Sequence, residues 1–133
     1  MTRNLLLSVI LFCYLITVGC TVPVVAIGAA AGAGTYTYMN GQLSRLYQAP
    51  FDTTNQACTA TLQKLKIAIT EEASDGINAT IKAKRTDGTP ITVKTEMVEP
   101  RITKVSVRSG MVGIWDKNVS ELIHASIAQR LQK

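Results

Sequence analysis

Three cysteines and a single histidine are the groups in this sequence best suited to nucleophilic or acid–base work. Cys20 closes the stretch Leu15-Ile16-Thr17-Val18-Gly19-Cys20, where small residues bring a thiol directly behind an apolar run. Cys58 has Thr, Ala and Gln around it and no nearby cation that would lower its pKa. In a helical pattern such a free cysteine most often serves as a small buried hydrophobe. His124 lies beside the apolar stripe of a helix, so a structural histidine is expected there rather than the base of a catalytic pair. Glu71, Glu72 and Asp75 gather near a hairpin and could meet a cation, although charges at a strand end are ordinarily just solvated. No metal-ligand spacing, phosphate loop or nucleophile elbow is present. The expectation is a protein without catalytic residues, metal or cofactor.

The amino terminus accounts for Cys20. Arg3 is followed by an uncharged run from Leu5 to Ile16, which is the layout of a secretory signal peptide. A spanning helix needs roughly 20 apolar residues, a length reached here only by absorbing Thr17, Gly19, Cys20, Thr21 and Pro23. Val18-Gly19-Cys20 is similar to the bacterial lipobox, in which the cysteine is acylated and the chain is cut just before it. Thr17 stands where that pattern usually has leucine. Acylation would tether the protein to a membrane, since each buried methylene contributes ~0.8 kcal/mol and several chains anchor where one only lingers. Thr21 after the cysteine, rather than Asp, resembles Gram-negative lipoproteins sent to the outer membrane, facing the periplasm. The organisation expected is a signal peptide at 1–19, a lipidated Gly/Ala-rich tether at 20–41 and one domain at 42–133. Unbroken apolar character from Leu5 to Met39 keeps membrane insertion of 22–39 as an alternative.

With the signal peptide removed, the formal charge falls from +5 to +4, because only Arg3 is lost. Cys58 is then the sole thiol, so no intrachain disulfide is available and the fold must rest on its apolar core. Asn40-Gly41 signals a turn, and Leu43, Leu46, Tyr47 and Phe51 could begin to pack onto the domain. Thr53-x-x-Gln56 matches a capping box, and Thr54, Cys58, Thr61, Leu62 and Leu65 fall on one stripe, which predicts a helix over about 53–65. The period then changes to two. Ile67 and Ile69, Ile77 to Ala83, Ile91 to Met97, and Val105 with Val107 read as four half-buried strands, with Asp75-Gly76 and Asp87-Gly88 as tight turns. Asp116 or Asn118 can cap a last helix that carries Val119, Leu122, Ile123, Ile127 and Leu131 on its apolar stripe, with Glu121 in its first turn. The predicted fold class is α+β: a two-layer sandwich in which a four-stranded antiparallel meander is flanked in sequence by two helices.

Such a sheet would turn a charged face to solvent. Lys82, Lys84, Lys94, Lys104 and Arg108 on it are the candidates for meeting an anionic envelope polymer or lipid head groups. A solvated, aggregation-resisting surface is the plainer reading. Nucleic acid is not an expected partner, since the protein is exported and no aromatic residues interleave with the lysines. Met111, Ile114 and Trp115, the only tryptophan, form a candidate patch for a protein partner.

The segments "GAAAGAGTYTYMNGQLSRLY", "KRTDGTPITVK" and "TKVSVRSGMVGIWDKNVSELIHASIAQRL" together resemble the bacterial family catalogued as domain of unknown function 3568. That family shows a strand of the type "IRVG", a Gly-Asp pair and a Ser before the last helix. Here those positions are Val105 to Gly110, Trp115-Asp116 and Ser120, with Trp115 in place of the family glycine. The resemblance implies a small envelope lipoprotein and carries no activity with it. The sequence thus suggests a membrane-anchored envelope lipoprotein with a non-catalytic interaction or structural domain, or alternatively a carrier for a lipid or anionic ligand.

Overall fold

The computed structural model describes residues 36–133. Cys20, the signal segment and nearly all of the expected tether lie outside the described residues. The elements follow in the order β1 (Thr37–Met39), β2 (Gln42–Tyr47), α1 (Phe51–Lys64), β3 (Ala68–Ser74), β4 (Asn78–Lys84), β5 (Pro90–Glu99), β6 (Ile102–Met111), β7 (Ile114–Trp115) and α2 (Lys117–Leu131). All pairings are antiparallel, in the spatial order β1-β2-β6-β5-β4-β3, with β7 paired to the end of β6.

The meander expected from the alternating segments is present as β3 to β6. The sheet is larger than four strands, however: among the described residues it has seven. Nor does a helix come first, since β1 and β2 precede α1. β2 escapes a sequence reading because its alternation runs against type. Leu43, Arg45 and Tyr47 point to the core face, while Leu46 is 42% exposed on the other. A charged residue inside and a leucine outside erase the apolar alternation by which half-buried strands are recognised. β1 has three residues and no pattern to show.

Register places one apolar row across the four central strands of the sheet, β2, β6, β5 and β4. Leu43 faces Val107, Val107 faces Val93, and Val93 faces Ile81. All four are fully buried. Ala57, Cys58 and Leu62 of α1 and Ile123 and Ile127 of α2 close over this row, so both helices lie on one face of the sheet. Each aliphatic side chain buried this way contributes ~1.5–3 kcal/mol, and the two-layer arrangement follows.

The helix ends are set by different chemistry from that expected. α1 starts at Phe51, directly after Pro50, two residues before the predicted capping box and without a side-chain cap. Pro50 has no N–H to leave orphaned, its carbonyl accepts from both the N–H and the hydroxyl of Thr54, and buried Phe51 fixes the first turn in the core. At the other end the Ile67 N–H reaches the Leu62 carbonyl and the Lys66 N–H reaches that of Gln63, with Lys66 at φ 57. This is a Schellman stop, completed by contact of buried Leu62 and Ile67, with lysine where glycine is usual. α2 is capped by Asp116, whose carboxylate accepts from the Val119 N–H. Glu121 lies beyond the first turn and pairs with Lys117 instead, and Leu122, expected in the stripe, is 54% exposed. The buried face of α2 is Ser120, Ile123, His124 and Ile127.

The β1–β2 hairpin turns on Asn40 and Gly41, at φ 52 and 76, the two positive angles that a two-residue hairpin of this hand demands. A Cβ on Gly41 would fall on the Trp115 ring, whereas one on Gly76, also at positive φ, would meet nothing within 4 Å. Gly41→Ala is therefore expected to destabilise by about 2 kcal/mol or more and Gly76→Ala by about 1 kcal/mol. Chemical denaturation of the two variants beside wild type tests this; equal losses would mean that the Trp115 contact contributes nothing.

Candidate functional site

Three places hold the groups that could act. The first is a polar cluster between β2 and α2. β2 sends Arg45 and Tyr47 to the core face, and His124 comes down on them from the middle of α2, entirely buried. The His124 Nε2 lies 2.8 Å from the Leu43 carbonyl, which can only accept, so Nε2 carries the proton. Nδ1 is then the acceptor. The Tyr47 hydroxyl stands 2.9 Å from Nδ1 and 3.0 Å from the His124 carbonyl, so its one proton is offered to both. Burial holds His124 neutral and lowers its pKa to about 4; the bond to Leu43 opposes the shift and the Arg45 charge adds to it. Burial likewise raises the Tyr47 pKa above the ordinary phenol range, with Arg45 partly offsetting it.

Arg45 is the unusual member. It is 6% exposed, and no carboxylate reaches it among the described residues. Its Nη1 donates to the Tyr36 hydroxyl at 3.1 Å, and the guanidinium lies over the rings of Tyr36 and Tyr47 at 5.3 and 5.0 Å. Aromatic faces supply the negative potential that a carboxylate would otherwise give. Tyr36 in turn meets the His124 ring edge-on, 5.5 Å between centroids. The cluster thus ties the entry to β1, β2 and α2 together, with Tyr47 and His124 buried and Tyr36 40% exposed at its rim. It can hold structure.

The second place is the open face of the sheet, where Lys82, Lys84, Lys94, Lys104 and Arg108 do stand on one side. They do not make an unbroken basic field. β3 at the sheet edge contributes carboxylates to this face, and Glu71 pairs with Lys82 at 2.9 Å. Glu96 pairs across the strands with Lys104 at 3.6 Å. Toward the β2 side of the same face, Ser44 and Ser106 share a hydrogen bond of 2.8 Å. Arg108 sits over the Trp115 ring at 5.1 Å. Lys84 and Lys94 remain without an ion pair among the described residues.

The third place is the hairpin formed by the end of β6 and β7. Gly113 takes the positive angle of its turn, φ 88, and Gly110 at φ 109 leaves room where a Cβ would fall on the Ile114 carbonyl. Met111, Val112 and Ile114 are 65%, 91% and 75% exposed, whereas Trp115 is half-buried against Gly41 and Arg108. Sequence reasoning found Met111, Ile114 and Trp115 but missed Val112, the most exposed of all, because it has no alternation partner of its own. Beside the hairpin opens a cleft of about 540 Å³, lined among others by Arg85, Trp115, Asp116 and Lys117. Arg85 lies 3.5 Å from Asp87 and 3.9 Å from Asp116 across it.

The other chemical candidates are settled by their surroundings. Cys58 is buried, and burial pushes its thiol up to about 12, with the Thr95 hydroxyl 3.9 Å from Sγ opposing the shift slightly. Asp75 is occupied in its turn, accepting from the N–H groups of Ile77 and Asn78. Among the described residues, no three metal-ligating side chains come together, and no helix is long and apolar enough to cross a membrane.

An α+β domain of two helices on an antiparallel sheet, with a buried histidine strap and an exposed apolar hairpin, is the class of protein defined here. Residues 4–130 match the family described as Protein of unknown function (DUF3568), and the chain belongs to that family. No curated protein matches it.

The histidine strap makes stability depend on pH. His124 titrates at about 4 in the folded chain against 6.5 when free, so on acidification the unfolded chain takes the proton first. Its contribution is complete above pH 6.5, declines from there to about 4 and levels off below, a loss on the order of 3 kcal/mol. Asp75 and Asp87, held low by backbone N–H groups, act in the more acid range. His124→Leu is expected to be less stable at neutral pH, because the Leu43 carbonyl and the Tyr47 hydroxyl lose their histidine partners, and to lose the slope between 6.5 and 4. Denaturation midpoints of both proteins across that interval test it; parallel profiles would show that His124 is not the titrating group.

Proposed function

We propose that this protein is a lipid-anchored envelope protein, tethered through acyl chains on Cys20, whose α+β domain is a non-catalytic interaction module at the membrane. Outer-membrane placement facing the periplasm is part of the same reading, from Thr21. The observation that carries the interaction role is the β6–β7 hairpin. A small domain that exposes three large apolar side chains on and beside one two-residue turn, over a base fixed by Trp115, gains nothing for its own core from them. The absence of catalysis is supported by the fate of His124 and Cys58, both buried and neutral.

A second reading, a carrier for an anionic or lipidic ligand, has one observation in its favour: the cleft between Arg85, Trp115 and Lys117. Native mass spectrometry that found a bound small molecule, lost on Lys117→Glu, would move it ahead of the first.

The anchoring half is tested by the intact mass of protein purified from membranes of a bacterial host. Residues 20–133 carrying acyl chains are expected, and Cys20→Ala is expected to remain unprocessed and unacylated. A wild-type mass equal to the uncleaved chain would refute the lipid tether and favour an anchor formed by the apolar segment itself.

A further inference from the structure

We infer that the β6–β7 hairpin is a membrane-insertion tip, which sets Met111, Val112 and Ile114 into the interface of an anionic bilayer while the chain is tethered to it. The inference rests on the anchoring proposed above and names the partner of the interaction module as the lipid surface itself.

Shape comes first. Val112 and Ile114, 91% and 75% exposed, are the two most exposed large apolar side chains among the described residues, and Met111 at 65% shares their hairpin. A stable protein–protein interface needs roughly 800 Å² from each partner, and three side chains on a narrow hairpin offer much less. A bilayer sets no such minimum, because the interface closes around whatever enters it. From Ser109 to Trp115 the hairpin carries no charge that would have to be desolvated.

Charge comes second. Strand register brings the α1–β3 connection, the β4–β5 turn and the start of α2 to the same end of the sheet as the hairpin. These supply Lys66, Lys84, Arg85 and Lys117, against Asp87 and Asp116. Arg85 is shared by the two carboxylates, and Lys117 leans on Glu121 at 3.4 Å. Lys66 and Lys84 meet no carboxylate among the described residues, and Arg108 behind the tip meets only the Trp115 ring. An apolar point set in a basic collar matches a surface of anionic head groups over hydrocarbon.

Chain continuity comes third. The sequence carries no charged residue from Asn4 to Ser44, and this apolar stretch runs into β1. β1 ends at Met39, 66% exposed, and its turn at Gly41 lies under the Trp115 ring at the base of the tip. The strand into which the tether leads is thus joined to the hairpin. One lipid anchor and one shallow apolar contact together hold better than either alone.

Trp115, the only tryptophan, reports on this directly. The full chain, purified from membranes, is reconstituted into vesicles of phosphatidylcholine, with and without phosphatidylglycerol, that contain lipids brominated at different depths. Flotation reads the anchor, and quenching of Trp115 reads the tip. The expected result is flotation with quenching strongest for bromines near the head-group end of the acyl chains, greater with phosphatidylglycerol. The exposed variants Val112→Asp/Ile114→Asp and Val112→Ser/Ile114→Ser should float equally, melt like wild type and lose most of the quenching. A chain that floats while Trp115 stays unquenched, or whose quenching survives both variants, overturns the insertion tip and leaves the anchor standing. Trp115 shielded by a dimer seen in light scattering would assign the patch to a second copy and overturn it too. Failure to float removes the anchor, and the inference falls with it.

Discussion

The pairing of β2 with β6 is the constraint on which the rest depends. β6 is the last long strand of the meander, and without β2 its outer edge would be an open row of hydrogen-bonding groups. Bringing β2 there forces α1 to cross the whole sheet to reach β3 on the far edge, which lays it over the apolar row of Ile81 and Val93. α2 then covers the remaining half. Leu43 sits where these requirements meet: its side chain fills the apolar row and its carbonyl receives the His124 Nε2 proton. A single residue of β2 thus joins sheet register to helix position.

How much of this could be read in the sequence follows from which patterns were redundant. β4 and β5 alternate over most of their length and are each preceded by an Asp-Gly pair whose carboxylate accepts turn N–H groups, so local chemistry and the apolar period agree. β2 was hidden because Arg45 and Leu46 occupy each other's expected faces, and only tertiary contacts with Tyr36, Tyr47 and His124 make that tolerable. The start of α1 was displaced because a buried phenylalanine outweighed a capping box, a stabilisation of ~1.5–3 kcal/mol against about 1 for a cap. Among site residues, Met111 and Ile114 were legible as apolar residues next to glycines. The neutralisation of Lys82 and Lys104 was not, since it depends on cross-strand register.

The buried guanidinium of Arg45 is costly unless its surroundings are fixed, because desolvation of an unpaired cation amounts to several kcal/mol. Two tyrosine faces and one hydroxyl give it a partner only when β1, β2 and α2 are all in place. An alternative register of β2, shifted by one residue, would move Arg45 to solvent and Leu46 to the core, but would also expose Leu43 and Tyr47 and turn Ser44 inward. What opposes the slip is the loss of the histidine bond at Leu43 and of Tyr47 from its place beside His124. The polar cluster therefore acts together with the burial of Leu43 and Tyr47 to specify the register of β2.

The same logic explains how so short a strand as β1 can be held. Three paired residues make a marginal hairpin by themselves. Each side chain or turn around it is fastened elsewhere: Tyr36 to Arg45 and His124, Tyr38 to Lys117 at 5.7 Å, and Gly41 under the ring of Trp115. Two of these partners belong to α2 and one to the base of the β6–β7 hairpin. A glycine in place of Trp115 would leave the Gly41 turn uncovered. The tryptophan thus couples the first hairpin of the domain to the last, so that the point where the apolar amino-terminal sequence enters the sheet and the exposed apolar turn are parts of one folded unit rather than two independent loops.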